Sequence, residues 1–342
     1  MRSCLVILLG VFLVFVSVNS LLAKDKLVVM TWGGNYGDSL KEAVAKPFEK
    51  KFDVEVEVEI QAGTQAGLAR ILAQKDNPQV DIATTTEAGA LMMRSQGAIH
   101  KLPIDLIPNS SNLGPDKRYK QDDWIAYYNL INGIFYRADM IPFEIKNWED
   151  LWDARLKNLL TVPFVPFASA RFLVTLALLN GGSEKDIEPG FKAAERLKPN
   201  IAMLFKTDAE SIKYVQSKEA PVCAYGLLPN VFRYLGKDSI YKFVVPPKFV
   251  MVGPNLMVNT NPKKRDLAAK FIDFSISSEV QSNFCNLLGA MPTVTNAKPP
   301  EKLAELKIVP IDMKNLYIID EKVVNNNLKN WSERWDKEIA QK

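Results

Sequence analysis

The chain has 342 residues, with 43 Lys and Arg against 39 Asp and Glu, a near balance that excludes a nucleic-acid binder built on a basic surface. Its single histidine, His100, argues against a histidine-ligated metal centre or a Ser-His-Asp hydrolase. The length exceeds one ordinary core and predicts two lobes.

The chain opens with Arg2, an apolar run over residues 4–18, polar Asn19 and Ser20, and small Ala23. This order predicts a secretory signal peptide over residues 1–23, cut after Ala23, with a retained membrane anchor as the competing reading. Cys4 lies too early to be a lipid-modified cleavage cysteine. No later run is long enough to span a bilayer, so the mature chain is expected to be a monomer without stable membrane insertion. Its two cysteines, Cys223 and Cys285, are compatible with either a bridge or two buried thiols.

Residues 26–31 read as a strand buried on both faces, and Trp32-Gly33-Gly34-Asn35-Tyr36-Gly37 as a loop. A helix opening at Asp38 or Ser39 follows, with Leu40, Val44 and Phe48 on one side. Residues 53–60 alternate charged and β-branched types as a half-buried strand, and 67–74 read as a helix. Next come a strand at 80–84 and a helix through Ala90 and Arg94. Strands are expected at 131–136, 159–164, 220–225, 242–246, 249–252 and 255–259. Helices are expected at 147–152, 170–179, 191–197, 211–217, 265–277 and 278–288, the last opened by a Ser278/Gln281 capping box. Residues 325–339 form an amphipathic helix carrying Trp331 and Trp335. Strands alternating with helices predict a parallel α/β sheet.

Three strand-to-helix turns carry the candidate site. The glycine-rich turn at Trp32 sits where open α/β sheets bind ligands, but Gly33, Gly34 and Gly37 lack the dinucleotide spacing and no Walker lysine follows. Trp32 and Tyr36 offer flat apolar faces, while Gly34 and Asn35 offer backbone and amide groups. The competing reading makes the glycines a simple turn and Trp32 a core residue. Thr84, Thr85 and Glu87 occupy the second turn, with Thr86 a helix cap. Ser169 and Arg171 occupy the third, where Arg171 clamps an anion or is simply solvated. Tyr225 and Asn255 complete the ligand-binding set. No catalytic residue, metal or cofactor is expected.

The turn at 32–37 followed by Ala45-Lys46-Pro47-Phe48-Glu49 resembles the N-terminal segment of type II periplasmic solute-binding proteins of ABC transporters, in particular the polyamine (spermidine/putrescine) type. Asn147-Trp148-Glu149-Asp150-Leu151-Trp152-Asp153, Leu179-Asn180-Gly181-Gly182, the stretch 261–274, Ser278-Glu279-Val280-Gln281 and Gly289-Ala290-Met291-Pro292-Thr293 follow in the same order. The resemblance implies two α/β lobes joined by crossover strands near 132–133 and 253–255, closing on a small molecule. It further implies a periplasmic location and a permease partner. The first lobe is expected to comprise 24–131 and 256–293, the second 132–255, with a C-terminal helical segment at 294–342 packed on the second lobe. Where polyamine binders place acids after the Trp-Glu-Asp-Leu-Trp segment, this chain has Val165-Pro166-Phe167-Ala168-Ser169-Ala170-Arg171. Near the second crossover it has Val252-Gly253-Pro254-Asn255 in place of a tryptophan and an aspartate. With Glu87 the only acid in the set, the departures predict an oxygen-rich or anionic ligand, with polyamine as the alternative. A receptor-coupled sensor and an exported enzyme using Glu87, Asp208 and Glu210 are the other functions considered.

Overall fold

A computed structural model of the protein describes residues 24–247, 249–250, 254–308 and 316–341. The export segment at 1–23 lies outside the described residues, as do 251–253 of the expected strand and crossover. Among the described residues no helix is long and apolar enough to cross a membrane.

The strands, in chain order, are β1 (Lys26–Trp32), β2 (Glu55–Gln61), β3 (Ile82–Thr85), β4 (Lys120–Gln121), β5 (Trp124–Tyr128), β6 (Asn132–Arg137) and β7 (Leu160–Pro163). They continue with β8 (Ile201–Phe205), β9 (Val222–Leu227), β10 (Tyr241–Val244), β11 (Phe249–Val250), β12 (Asn255–Asn259) and β13 (Leu316–Tyr317). One sheet has the order β2-β1-β3-β12-β5-β4, a second β10-β6-β9-β7-β8, and β11 pairs with β13 alone. In β1, Leu27, Val29 and Met30 are fully buried, because helices cover both faces of a central parallel strand. β2, at the sheet edge, alternates over residues 55–58, with Val58 opposite Val29, but Ile60, expected on the same inner face, is exposed.

Neither sheet is purely parallel, which corrects the parallel expectation. β12 runs antiparallel to both β3 and β5, and β6 antiparallel to both β9 and β10. The cause is connectivity. The chain leaves the first sheet after β5, enters the second at β6, and returns at β12, so the crossing strands run against their neighbours. Asn255 opens β12 of the first sheet, where the sequence reading had it closing the second lobe.

The first helix starts at Asn35, three residues before Asp38, and runs to Phe52 with a π turn at Lys41–Ala45. Pro47 has no N–H to give the carbonyl four residues back, and the wider turn just before it absorbs the mismatch. Trp148–Trp152 is one 3₁₀ segment, opened by an Asn147/Asp150 capping box. The Ser278 box does not form. Ser277 takes the cap position, Ser278 Oγ donates to the Asn296 carbonyl, and Gln281 is buried, donating to the Tyr127 carbonyl. Cys223 and Cys285 are buried free thiols in separate clusters, which settles their bridging.

The C-terminal helix Glu321–Trp335 packs along the second sheet's layer. Trp335 meets Phe191 at 6.5 Å between ring centroids, and Arg334 pairs with Glu188 at 2.6 Å. Glu184 accepts from the Tyr317 hydroxyl at 2.7 Å and from the Asp320 N–H at 3.0 Å, fixing the helix start.

Candidate functional site

The first sheet sends two strand-to-helix turns toward the second. At the end of β1, Gly34 adopts φ 62° and ψ −139°, a conformation that penalises any side chain, and so releases the chain directly into the helix at Asn35. The Trp32 indole N–H donates to Thr64 Oγ1 at 3.4 Å. The rings of Trp32, Tyr36 and Tyr128 follow one another at centroid distances of 6.0 and 6.3 Å. Asn35 donates to the Leu288 carbonyl at 3.2 Å and to the Pro229 carbonyl beyond β9 at 3.3 Å, so it bridges the two sheets' layers.

At the end of β3 the two threonines turn inward. Thr84 Oγ1 donates to Thr31 Oγ1 at 2.9 Å, and Thr85 Oγ1 stands 2.2 Å from where a side chain at Gly89 would begin. Thr86 caps the helix Glu87–Ser95 by accepting from the Gly89 N–H. Glu87 opens that helix, 3.8 Å from Arg118, whose fork is already held by Asp116 at 2.6 Å. Burial pushes the Glu87 carboxyl up, Arg118 pulls it back, and Glu321 and Asp116 push it further.

On the second sheet the strongest correction concerns Arg171. It is buried, donates to the Ala168 carbonyl at 2.6 Å, and is ion-paired with Glu321 of the C-terminal helix. Its charge is therefore matched by a residue 150 positions away and does not stand ready for an anionic ligand. Ser169 belongs to the short segment Phe167–Ala170, and its side chain lies outside the described residues.

Glu87 is not the only acid. Asp208 opens the helix Asp208–Ser217 after a Thr207/Glu210 capping box, so Glu210 is spent on backbone N–H groups while Asp208 lies within electrostatic reach of Tyr36. Asn230 hydrogen-bonds both Asp208 and the Tyr36 hydroxyl, joining a β1 turn to a β8 turn. Burial pushes the Asp208 carboxyl up to about 6, against the hydrogen bonds from Asn230 and from its own N–H. Tyr225, on β9, lies within electrostatic reach of Arg171, Asp208 and Glu321, and burial pushes its phenol up.

Among the described residues, several buried polar atoms have no hydrogen-bond partner: the hydroxyls of Tyr128 and Tyr225, both side-chain atoms of Asn132, the amide nitrogen of Asn255, and one oxygen of Glu321. Asn255 stands opposite Tyr128 and Asn132 opposite Leu227, so these groups gather where strands pass between sheets. Each unmet buried group costs about 1–3 kcal/mol. Among the described residues no cluster of His, Cys, Asp or Glu could hold a metal. The charges around the gap do not cancel. Arg171 answers Glu321, Arg118 is shared by Asp116 and Glu87, and Asp208 has only neutral partners.

A family model for bacterial extracellular solute-binding proteins matches residues 43–311. The chain belongs to that family. It is also 25% identical, over 70% of its length and 69% of the relative's, to the spermidine/putrescine-binding periplasmic protein of Escherichia coli strain K12. Among solved structures, an ABC transporter protein from Clostridium perfringens superposes with a TM-score of 0.72 at 27% identity, over 92% of this chain and 99% of that one. The spermidine/putrescine substrate-binding protein PotD of Streptococcus pneumoniae gives 0.73 at 22% identity, over 90% and 100%. The fold is the type II periplasmic-binding-protein fold, and this solute-binding protein acts outside the cytoplasm as a binder, not an enzyme.

Asp208, Asn230, Glu321, Arg118, Tyr128 and Asn132 were not in the sequence-derived set. A signal for Asp208 was present, since Thr207-Asp208-Ala209-Glu210 follows an apolar run as Thr86-Glu87 does. Nothing local marks Glu321, which reaches Arg171 only through the tertiary fold.

Proposed function

We propose that this protein captures a small cationic solute between two closing lobes and delivers it to the permease of an ABC importer in the periplasm. Residues 24–131 with 255–293 form one jaw, Asn255 joining it as the first residue of β12, and 132–254 the other, with the C-terminal segment fastened to the second, and the mature chain works as a monomer after loss of residues 1–23. The observation that carries the ligand class is the charge balance of the gap. Both arginines face carboxylates, while Glu87 and Asp208 leave negative charge in excess on the two jaws. An ammonium group buried without a carboxylate is costly, and here each jaw has one to offer. The aromatic faces of Trp32, Tyr36 and Tyr128 suit the methylene and cationic parts of such a solute. The names of the polyamine-binding relatives point the same way, although the sequence departures had argued against a dication.

Calorimetry of the mature chain against putrescine, spermidine and glutamate tests this reading. Saturable one-site binding of a polyamine, with glutamate at least about a hundredfold weaker, is the expected result. Tight glutamate binding with no polyamine signal would show that the arginines, not the acids, choose the ligand.

A further inference from the structure

Away from the gap, the loop after β7 and the far end of the C-terminal helix enclose a second cavity of about 320 Å³. Ser332 on its wall lies eleven residues beyond Glu321 on one continuous helix, an axial rise of about 16 Å. Its near edge, Phe167, adjoins Ala168, whose carbonyl accepts from Arg171, so the cavity neighbours the Arg171–Glu321 pair while its lining is separate from it.

The floor is apolar: Val165 is buried, and Phe164 and Phe167 are half-buried. Phe167 packs edge-on against Phe205 at 5.1 Å, which holds the floor in place. A narrow crevice shares Phe164, Val165 and Phe167 with it and is also lined by Trp335, whose buried indole N–H has no partner among the described residues. The walls carry opposite charges. Lys206 Nζ lies 4.9 Å from the Phe164 ring centroid, and Asp336 lines the same cavity. Neither forms an ion pair with the other or with any other described residue. Lys206 and Asp336 are both exposed, so they stand at the rim of the cavity, where a molecule carrying both signs can meet both. A lone cation or anion satisfies one wall only. The volume sits at the lower end of the range for small-molecule sites, about 300–1,000 Å³.

We propose that this cavity is a second ligand site, taking a zwitterionic amino acid with an apolar side chain. Its carboxylate meets Lys206, its ammonium meets Asp336, and its side chain lies across Phe164 and Phe167. The site is independent of whatever solute the gap takes.

Amide NMR of the mature chain titrated with L-phenylalanine tests it, with phenethylamine and phenylacetate as single-charge controls. Saturable shifts should be confined to Phe164, Val165, Phe167, Lys206, Ser332 and Asp336, unchanged by saturating putrescine. Both controls should bind about tenfold or more weakly than L-phenylalanine. Lys206→Glu and Asp336→Lys should each abolish the shifts at an unchanged melting temperature. Shifts at Tyr36 and Glu87 instead, equal binding of either control, or no saturation by about 10 mM would each overturn the proposal.

Discussion

Asp208 illustrates how one residue ties stability to ligand choice. Its carboxyl is pushed by burial from 3.8 to about 6, so the folded chain holds a proton that the unfolded chain has already released within that window. Native stability is accordingly lost as pH rises from about 4 to about 6, and the full cost applies above 6. Asp208→Asn should remove this cost, stabilising the ligand-free protein at pH 7.5 by about 2 kcal/mol while changing little at pH 4. The same substitution should weaken polyamine binding about tenfold or more at pH 7.5, because one jaw loses its anion. Thermal unfolding at the two pH values and calorimetry at the higher one read both effects. A loss of stability at pH 7.5 would mean that Asp208 is held by partners stronger than Asn230. The sequence offers Asp208 as an acid, but nothing local places it near Tyr36, which it approaches only through the tertiary fold.

At the scale of elements, the C-terminal helix does more than cover the second sheet. It supplies Glu321 to Arg171, and that buried pair belongs to the fold as much as to the site. Glu321→Gln should destabilise the chain by about 3 kcal/mol, because Arg171 is left buried without its carboxylate, whereas Arg171→Met with Glu321→Leu should recover most of the loss. Chemical denaturation of the single and double variants measures this, and equal destabilisation by both would refute the pairing argument. A second element-level contact sits at Gly289, which ends the helix Ser278–Leu288 at φ 80°. A side chain there would begin 2.4 Å from the Phe232 ring, at the meeting of the two layers. Gly289→Ala should lower stability by about 2 kcal/mol or more, read as a drop in melting temperature, and an unchanged melting temperature would show that Phe232 yields freely.

The elements themselves were largely legible. The runs at β1, β2 and β12 are short, apolar or alternating, and bounded by turn residues. β5 (Trp-Ile-Ala-Tyr-Tyr) was not read, because a strand buried on both faces has no alternation to separate it from a buried helix. β8 escaped for a related reason, since Ile-Ala-Met-Leu-Phe carries no polar residue to set a period. The antiparallel strands were illegible because strand direction in a two-sheet chain follows from connectivity, which no local pattern records.

For the whole molecule, the charge balance around Glu87, Asp208 and the two arginines is the least legible property, and the proposed ligand class rests on it. Arg171 and Glu321 are 150 residues apart, and Glu87 meets Arg118, so counting acids along the chain does not record which charges are matched. The two layers meet directly in this structure, through Asn35 to Pro229 and through Tyr36 to Asn230. A solute touching both jaws adds to those contacts only in the closed arrangement, and so shifts the population toward it. Small-angle scattering of the mature chain, with and without a solute shown by calorimetry to saturate it, tests capture by closure most directly. The account predicts a smaller radius of gyration with the solute bound and a larger one without it. An identical radius in both states, at full occupancy, would contradict it.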